Sequence, residues 1–209
     1  VADGVSSGNL PRMASRRLLE ILQSHLAVAS ATTSLSKLLH QVQKTYAALE
    51  TNAEFRGMAS TLVGVRLAGR TATIFNVGDS RAYLLTACID GSQARLLSRD
   101  HNVLTDMLAD GEITPDQASN AASFLRSLTS QFMVDAEFDG LNVHTTTHVL
   151  HPGERLLLCS DGLNEVLSDA RIAELFVSNS ADDLLNACKA ARRAGGTDDF
   201  SVIVLALQN

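Results

Sequence analysis

Residues 61–85 read Thr61-Leu62-Val63-Gly64-Val65-Arg66-Leu67-Ala68-Gly69-Arg70-Thr71-Ala72-Thr73-Ile74-Phe75-Asn76-Val77-Gly78-Asp79-Ser80-Arg81-Ala82-Tyr83-Leu84-Leu85. Three short runs rich in β-branched and aromatic residues, 61–67, 71–77 and 81–85, are separated by Ala68-Gly69 and Gly78-Asp79. Runs of this length bounded by turn residues predict an antiparallel meander. Upstream the pattern changes. Leu18, Leu19, Leu22 and Leu26, then Leu35, Leu38, Leu39, Val42, Tyr46 and Leu49, recur at three- and four-residue intervals, which predicts two amphipathic helices.

Downstream, a polar and helical stretch from about Asp100 to Gln131 carries Asp110-Gly111 and Thr114-Pro115 as punctuation, as an insertion over the sheet would. Strand character resumes over 141–150 and again over 155–159, an apolar run that ends at Ser160-Asp161-Gly162. A helical segment from Ser168 through Leu175, a second helix over 181–193 and a closing strand over 200–207 complete the chain. Strands and helices come in blocks, so the fold class is α+β, with helices covering the outer faces of packed antiparallel sheets. No repeat or linker composition divides the chain, and 1–209 reads as one domain. The opening Val1-Ala2-Asp3-Gly4 reads as the end of a buried strand running into a turn, so a further strand is expected upstream of it.

Composition narrows the function. Lys and Arg number 17 against 23 Asp and Glu, a net charge of −6 that offers no electrostatic footprint for nucleic acid or an anionic membrane. No apolar run approaches the roughly 20 residues of a membrane-spanning helix. The three cysteines, Cys88, Cys159 and Cys188, form no CxxC pair or disulfide framework, which fits a reducing, cytoplasmic setting.

Three acidic motifs carry the chemistry: Asp3-Gly4, Asp161-Gly162 and Gly195-Gly196-Thr197-Asp198-Asp199. Each lies at a strand boundary beside glycine. Carboxylates converging on one sheet edge repel one another by several kcal/mol unless cations lie among them. An all-oxygen ligand set selects hard ions such as magnesium or manganese, and glycine lets a backbone carbonyl, here that of Gly4, approach an ion. Two such ions can activate a water and clamp a phosphoryl group for in-line displacement. The competing reading of each aspartate is an ordinary N-cap or turn residue. For Asp79, in Val77-Gly78-Asp79-Ser80, that structural reading is preferred, and Asp79 is left out of the ligand set. Asp100 reads either as the start of a helix at Asn102 or as a ligand. His144 and His148 share a strand face read as solvated, and Cys159 on its apolar strand reads as inert core.

Seven segments in order give the chain a resemblance to a known family: Val1-Ala2-Asp3-Gly4, Gly57-Met58-Ala59-Ser60-Thr61-Leu62, Val77-Gly78-Asp79-Ser80-Arg81-Ala82-Tyr83, Ser98-Arg99-Asp100-His101, Gly111-Glu112-Ile113-Thr114, Leu158-Cys159-Ser160-Asp161-Gly162-Leu163 and Gly196-Thr197-Asp198-Asp199. It resembles the metal-dependent protein phosphatases of type 2C, bacterial members in particular. The resemblance implies a four-layer α-β-β-α sandwich and hydrolysis of phosphoserine and phosphothreonine in proteins by metal-activated water. Asp3 and Gly4 would hold two manganese or magnesium ions with Asp161 and Asp198, Asp100 would hold a third, and residues 106–131 would form a flap that tunes substrate choice. It further implies a monomer acting on phosphoproteins beside a cognate serine/threonine kinase. The sequence departs from the family in three places. The upstream strand that supplies a phosphate-binding arginine and an acidic pair is not within it, Val5-Ser6-Ser7-Gly8 replaces the usual histidine-bearing run, and Asp199 stands where asparagine is usual, leaving Asp198 and Asp199 as alternative ligands. A regulatory module with an incomplete metal centre is the alternative function.

Overall fold

The structure is a computed structural model that describes residues 1–30, 33–88, 91–178 and 180–207, without the side chain of Ser119. Its elements in chain order are α1 (Pro11–Val28), α2 (Leu35–Ala47), β1 (Ala59–Ser60), β2 (Leu62–Ala68), β3 (Thr71–Val77), β4 (Arg81–Cys88), β5 (Gly91–Leu96), α3 (Val103–Ala109), α4 (Pro115–Ser119), β6 (Phe132–Met133), β7 (His144–Val149), β8 (Arg155–Cys159), α5 (Asp161–Asn164), α6 (Asp169–Leu175), α7 (Ala181–Arg193) and β9 (Val202–Ala206). The expected meander is β2, β3 and β4, but it does not stay in one sheet. Strands β2-β3-β7 form one antiparallel sheet, β5-β4-β8-β9 a second, and β1-β6 a short ribbon.

Period-two alternation explains why the two sheets stack. Val63, Ala72 and Ile74 from the first sheet bury against Ala82, Leu84, Leu156 and Leu158 from the second. The outer face of the first sheet, through Leu62, Phe75 and Val77, packs under α1 and α2. That of the second, through Tyr83, Leu85, Leu157 and Cys159, packs under α5, α6 and α7. The layers are therefore helix, sheet, sheet, helix, in agreement with the expected sandwich.

Three hydrogen bonds fix the first helical layer. The buried Tyr46 hydroxyl donates to the Ala14 carbonyl at 3.1 Å, and the Gln43 amide donates to the Met133 carbonyl at 2.9 Å while accepting from its N–H at 3.2 Å. The buried stripe of α1 is Ala14, Leu18 and Leu22, and Leu19 and Leu26, placed on it by spacing alone, are exposed. Residues 1–5 run along the first sheet: the Val1 amino group donates to the Val63 carbonyl, the Thr61 and Val63 N–H groups donate to the Asp3 and Val1 carbonyls, and Val5 N–H donates to Ala59. The opening residues are thus strand-like, as expected.

Two elements differ from expectation. Strand β5 is absent from the sequence reading because Gly91-Ser92-Gln93-Ala94-Arg95-Leu96 is an edge strand with little apolar alternation. Asp161-Gly162, read as a turn, instead starts the single-turn helix α5 behind Ser160. The insertion contains α3, α4 and a 3-10 turn at Ser123–Arg126.

Candidate metal centre

One end of the sandwich opens into a cleft of about 370 Å³. Asp3 and Gly4 enter it from the opening strand, Asp79 from the β3–β4 turn, Asp161 from the first residue of α5, and Asp198 from the loop between α7 and β9. Asp100 also lines it, and the insertion contributes Arg126, Ser127, Leu128 and Gln131. All five residues expected to touch an ion therefore meet in one place. So does Asp79, which sequence reasoning set aside.

Close backbone approaches bring these segments together. A Cβ on Gly4 would lie 1.8 Å from the Pro11 carbonyl oxygen, so only glycine lets α1 start directly over the first motif. A Cβ on Gly162 would lie 2.5 Å from the Asp199 carbonyl oxygen, and that gap holds the loop of Asp198 against α5. Ser160 ties the same two segments, since its N–H donates to the Ser201 carbonyl at 3.1 Å and its hydroxyl accepts from Ser201 N–H at 3.0 Å.

The β3–β4 turn is held by a buried polar network. Gly78, at φ 94°, donates its N–H to His101 Nδ1 at 3.1 Å, and its carbonyl accepts from His101 N–H at 3.0 Å. Asn76 donates to the carbonyls of Gly78 and Arg99 at 3.2 and 2.7 Å and accepts from Arg99 N–H at 3.3 Å. This network sets Asp79 and Asp100 on neighbouring walls. Because a carboxylate in a turn reads the same in sequence whether it faces water or a cleft, Asp79 had no signal beyond its position in the Val-Gly-Asp-Ser motif.

The electrostatics sort the acids into two kinds. The Asp3 carboxyl is pushed up to about 7, first by burial, then by the charge of Asp161 and a hydrogen bond shared with it, then by Asp198; a hydrogen bond from Ser160 opposes the rise. A hydrogen bond between two carboxyl groups requires that one of them keep its proton. Asp79 is also pushed up to about 7, by burial and then by Asp161 and Asp100. Glu165, at the rim, is shifted upward by burial, Asp161 and Asp198, against the pull of Arg126.

Asp100 is different. Its two oxygens accept from Arg81 Nε at 2.9 and 3.1 Å and from Arg81 Nη2 at 2.7 Å, while Arg81 Nη1 donates to the Tyr83 hydroxyl at 3.1 Å, which donates to Asp169 at 3.0 Å. Its charge is already compensated. Asp198 faces the cleft, whereas Asp199 is exposed between Arg12 and Arg192, at 3.9 and 3.7 Å.

Among the described residues, no three His, Cys, Asp or Glu side chains stand close enough to form a ready-made ion cage. The donors nevertheless suit hard cations: all are oxygen, and Asp3 and Asp161 crowd each other with Asp198 adding to the repulsion. His144 and His148 are half-buried, and His148 pairs with Glu154 at 2.8 Å rather than facing the cleft. Cys159 is buried, and burial pushes its thiol up to about 12, as suits an inert core residue.

A two-sheet sandwich with helices on both faces and a cluster of aspartates at one end defines the class, and residues 1–195 match the family model for protein phosphatase 2C. The chain belongs to that family. It is 31% identical over 159 residues to the serine/threonine protein phosphatase PstP of Mycobacterium tuberculosis, covering 76% of this chain and 29% of that protein. It is 30% identical over 223 residues to the serine/threonine phosphatase stp of Listeria innocua, covering 98% of this chain and 82% of that one. The crystal structure of the mycobacterial phosphatase superposes over the whole of this chain and 87% of its own, with a TM-score of 0.81 and 27% identity. The catalytic domain of PstP, solved in complex with two manganese ions, superposes at a TM-score of 0.74 with 26% identity over 97% of this chain and 84% of that chain. Among the described residues, no helix is long and apolar enough to cross a membrane.

Proposed function

We propose that the chain is the catalytic domain of a metal-dependent serine/threonine phosphoprotein phosphatase. The observation that carries this reading is the set of acids in the cleft: Asp3, Asp161 and Asp198 line it together, the charges of Asp161 and Asp198 both push the Asp3 carboxyl up, and among the described residues no arginine or lysine is hydrogen-bonded to or paired with any of the three. Asp3, Asp161 and Asp198, with the Gly4 carbonyl, would hold two manganese or magnesium ions. When bound, such ions supply the positive charge that acidifies a water and screens the phosphoryl oxygens.

The remaining steps belong to the chain. Ser160, tied to Ser201 through both its N–H and its hydroxyl, holds the start of α5 and so places Asp161 in the cleft, and its hydroxyl favours the charged form of Asp3. The flap residues Ser127, Leu128 and Gln131 wall the cleft on one side and limit bulk water. No histidine lines the cleft among the described residues, whereas Asp79, pushed up to about 7 by burial and by Asp161 and Asp100, is a group there that can hold a proton. Of the two candidates for a third ion, Asp79 suits it better than Asp100, because Arg81 already occupies both Asp100 oxygens. A phosphorylated protein is the substrate, residues 1–209 act as one domain, monomeric and cytoplasmic, and a serine/threonine kinase is the opposing enzyme.

Hydrolysis of para-nitrophenyl phosphate by the purified chain tests this. Activity should require manganese or magnesium and vanish in excess chelator. A chain that binds phosphopeptide but turns over none in either ion is instead the regulatory module.

A further inference from the structure

A phosphate monoester is a dianion, and the cleft that would receive it holds many more acids than bases. Two arginines line it among the described residues, Arg81 and Arg126. The Arg81 fork is spent: Nε and Nη2 donate to Asp100 and Nη1 donates to Tyr83. The Arg126 guanidinium makes no hydrogen bond or ion pair with any described residue. Its charge is felt across the cleft by Glu165.

The backbone under Arg126 is fixed although its side chain is free. The 3-10 turn Ser123–Arg126 is closed by the Ser127 hydroxyl donating to the Phe124 carbonyl at 2.7 Å. The next residues are fastened to the body: Val103 N–H donates to the Ser127 carbonyl at 3.1 Å, Thr129 N–H to the His101 carbonyl at 2.9 Å, and the Thr129 hydroxyl to Asp106 at 2.8 Å. Arg99 pairs with the other Asp106 oxygen at 2.9 Å. Arg126 is thus an unpaired, planar, permanently charged fork held on an anchored turn over a cluster of carboxylates.

We propose that Arg126 is the residue of this chain that grips the substrate's phosphoryl group, donating to its non-bridging oxygens. This deepens the phosphatase reading and rests on it. With cations on the aspartates, the guanidinium loses its attraction to the cleft floor and meets the one anion that enters, and an arginine fork matches two phosphoryl oxygens at once. The role is positional and electrostatic, and no bond is made or broken by Arg126.

The full chain in manganese tests the idea with inorganic phosphate as probe, measured by calorimetry and as a competitive inhibitor. Arg126→Ala should weaken phosphate binding by about tenfold to thirtyfold. It should raise KM for para-nitrophenyl phosphate and for a phosphothreonine peptide by the same factor, with kcat within about threefold, and Arg126→Lys should recover part of the loss. Manganese affinity and the urea midpoint should not move, although a merely structural role would shift the midpoint. Unchanged phosphate affinity in Arg126→Ala overturns the proposal, and so does a rise in KM confined to the peptide, which would make Arg126 a reader of peptide side chains. Should the parent chain bind phosphate yet hydrolyse nothing, the phosphatase reading fails while calorimetry still decides the role of Arg126.

Discussion

Asp3 and Asp100 line the same cleft and keep opposite company. Asp100 is buried with an arginine whose fork fits both of its oxygens, whereas Asp3 is half-buried near Asp161 and Asp198 and is paired with no cationic side chain among the described residues. The contrast separates two uses of a buried carboxylate. One is satisfied by the chain and is part of the scaffold. The other is left with a deficit of positive charge that a cation from outside must supply, and that deficit is better evidence of a metal ligand than acidity alone.

Removing one carboxylate from the deficient set should have the largest effect. Asp161→Asn keeps the shape and deletes a charge that an ion needs, so manganese-dependent hydrolysis should fall at least about a hundredfold. Equal rates in parent and variant would retire the catalytic reading. Asp100→Asn should spare ion binding by comparison, measured by titration of manganese into each variant, and an equal loss of affinity in both would erase the distinction between the two acids.

The satisfied pair should answer in stability instead. Arg81 and Asp100 are 21% and 9% exposed, so the pair is mostly withdrawn from water. Arg81→Ala leaves the Asp100 charge uncompensated and frees the Tyr83 hydroxyl of a partner, and should cost about 3 kcal/mol in urea unfolding. Adding Asp100→Asn to Arg81→Ala should restore at least about 1 kcal/mol, because the unpaired charge is then gone. Strict additivity of the two changes would show that the pair is not coupled.

How much of this was readable in the chain depended on whether a feature is local. The apolar run Leu156-Leu157-Leu158 ending at Ser160-Asp161-Gly162 announces a buried strand that delivers an acid to its end, and β8 does so. Helix α7 runs over 181–193 as expected, and Ser180 caps it. The division of the meander between two sheets was not readable, since alternation says which residues face a core and not which sheet shares it. Nor was the Arg81–Asp100 pair, whose members lie 19 residues apart and are brought together past the end of the β4–β5 pairing, where Leu97 and Ser98 bond to Ala82. The position of Asp79 in the cleft was not readable for the same reason: the turn that carries it is held by His101 and Asn76 bonding to Gly78.

Proton counting sharpens the contrast further. In the ion-free protein Asp3 and Asp79 both hold protons up to about pH 7. Folded carboxyls raised above their unfolded values of about 3.9 favour the fold at low pH, and that contribution is lost as pH rises from about 4 through 7. An ion placed among them displaces a proton. Manganese affinity should therefore climb with pH below about 7, by up to about tenfold per pH unit for each proton displaced, and level off above it. A calorimetric titration in two buffers of different ionisation enthalpy counts the protons released, and zero release would mean that Asp3 is not at the ion.

The smallest expected effect comes from His101, and its sign is opposite. Burial, reinforced by the charges of His144 and Arg99, lowers its proton affinity below that of an unfolded histidine, and its Nδ1 must stay unprotonated to accept from Gly78 N–H. A base lowered on folding leaves the native state at full stability above about pH 6.5 and weakens it as pH falls below that value, because the unfolded chain takes up the proton first. One such group can contribute a slope of at most about 1.4 kcal/mol per pH unit, and the loss stops once pH passes the folded value. His144 is shifted in the same direction, so the comparison must be made between parent and His101→Gln, both unfolded in urea at pH 7 and pH 5 with manganese present. The parent should lose more stability than the variant across that interval. Identical losses would mean that the proton on His101 does not govern the turn holding Asp79, and the two walls of the cleft would then be independent of each other.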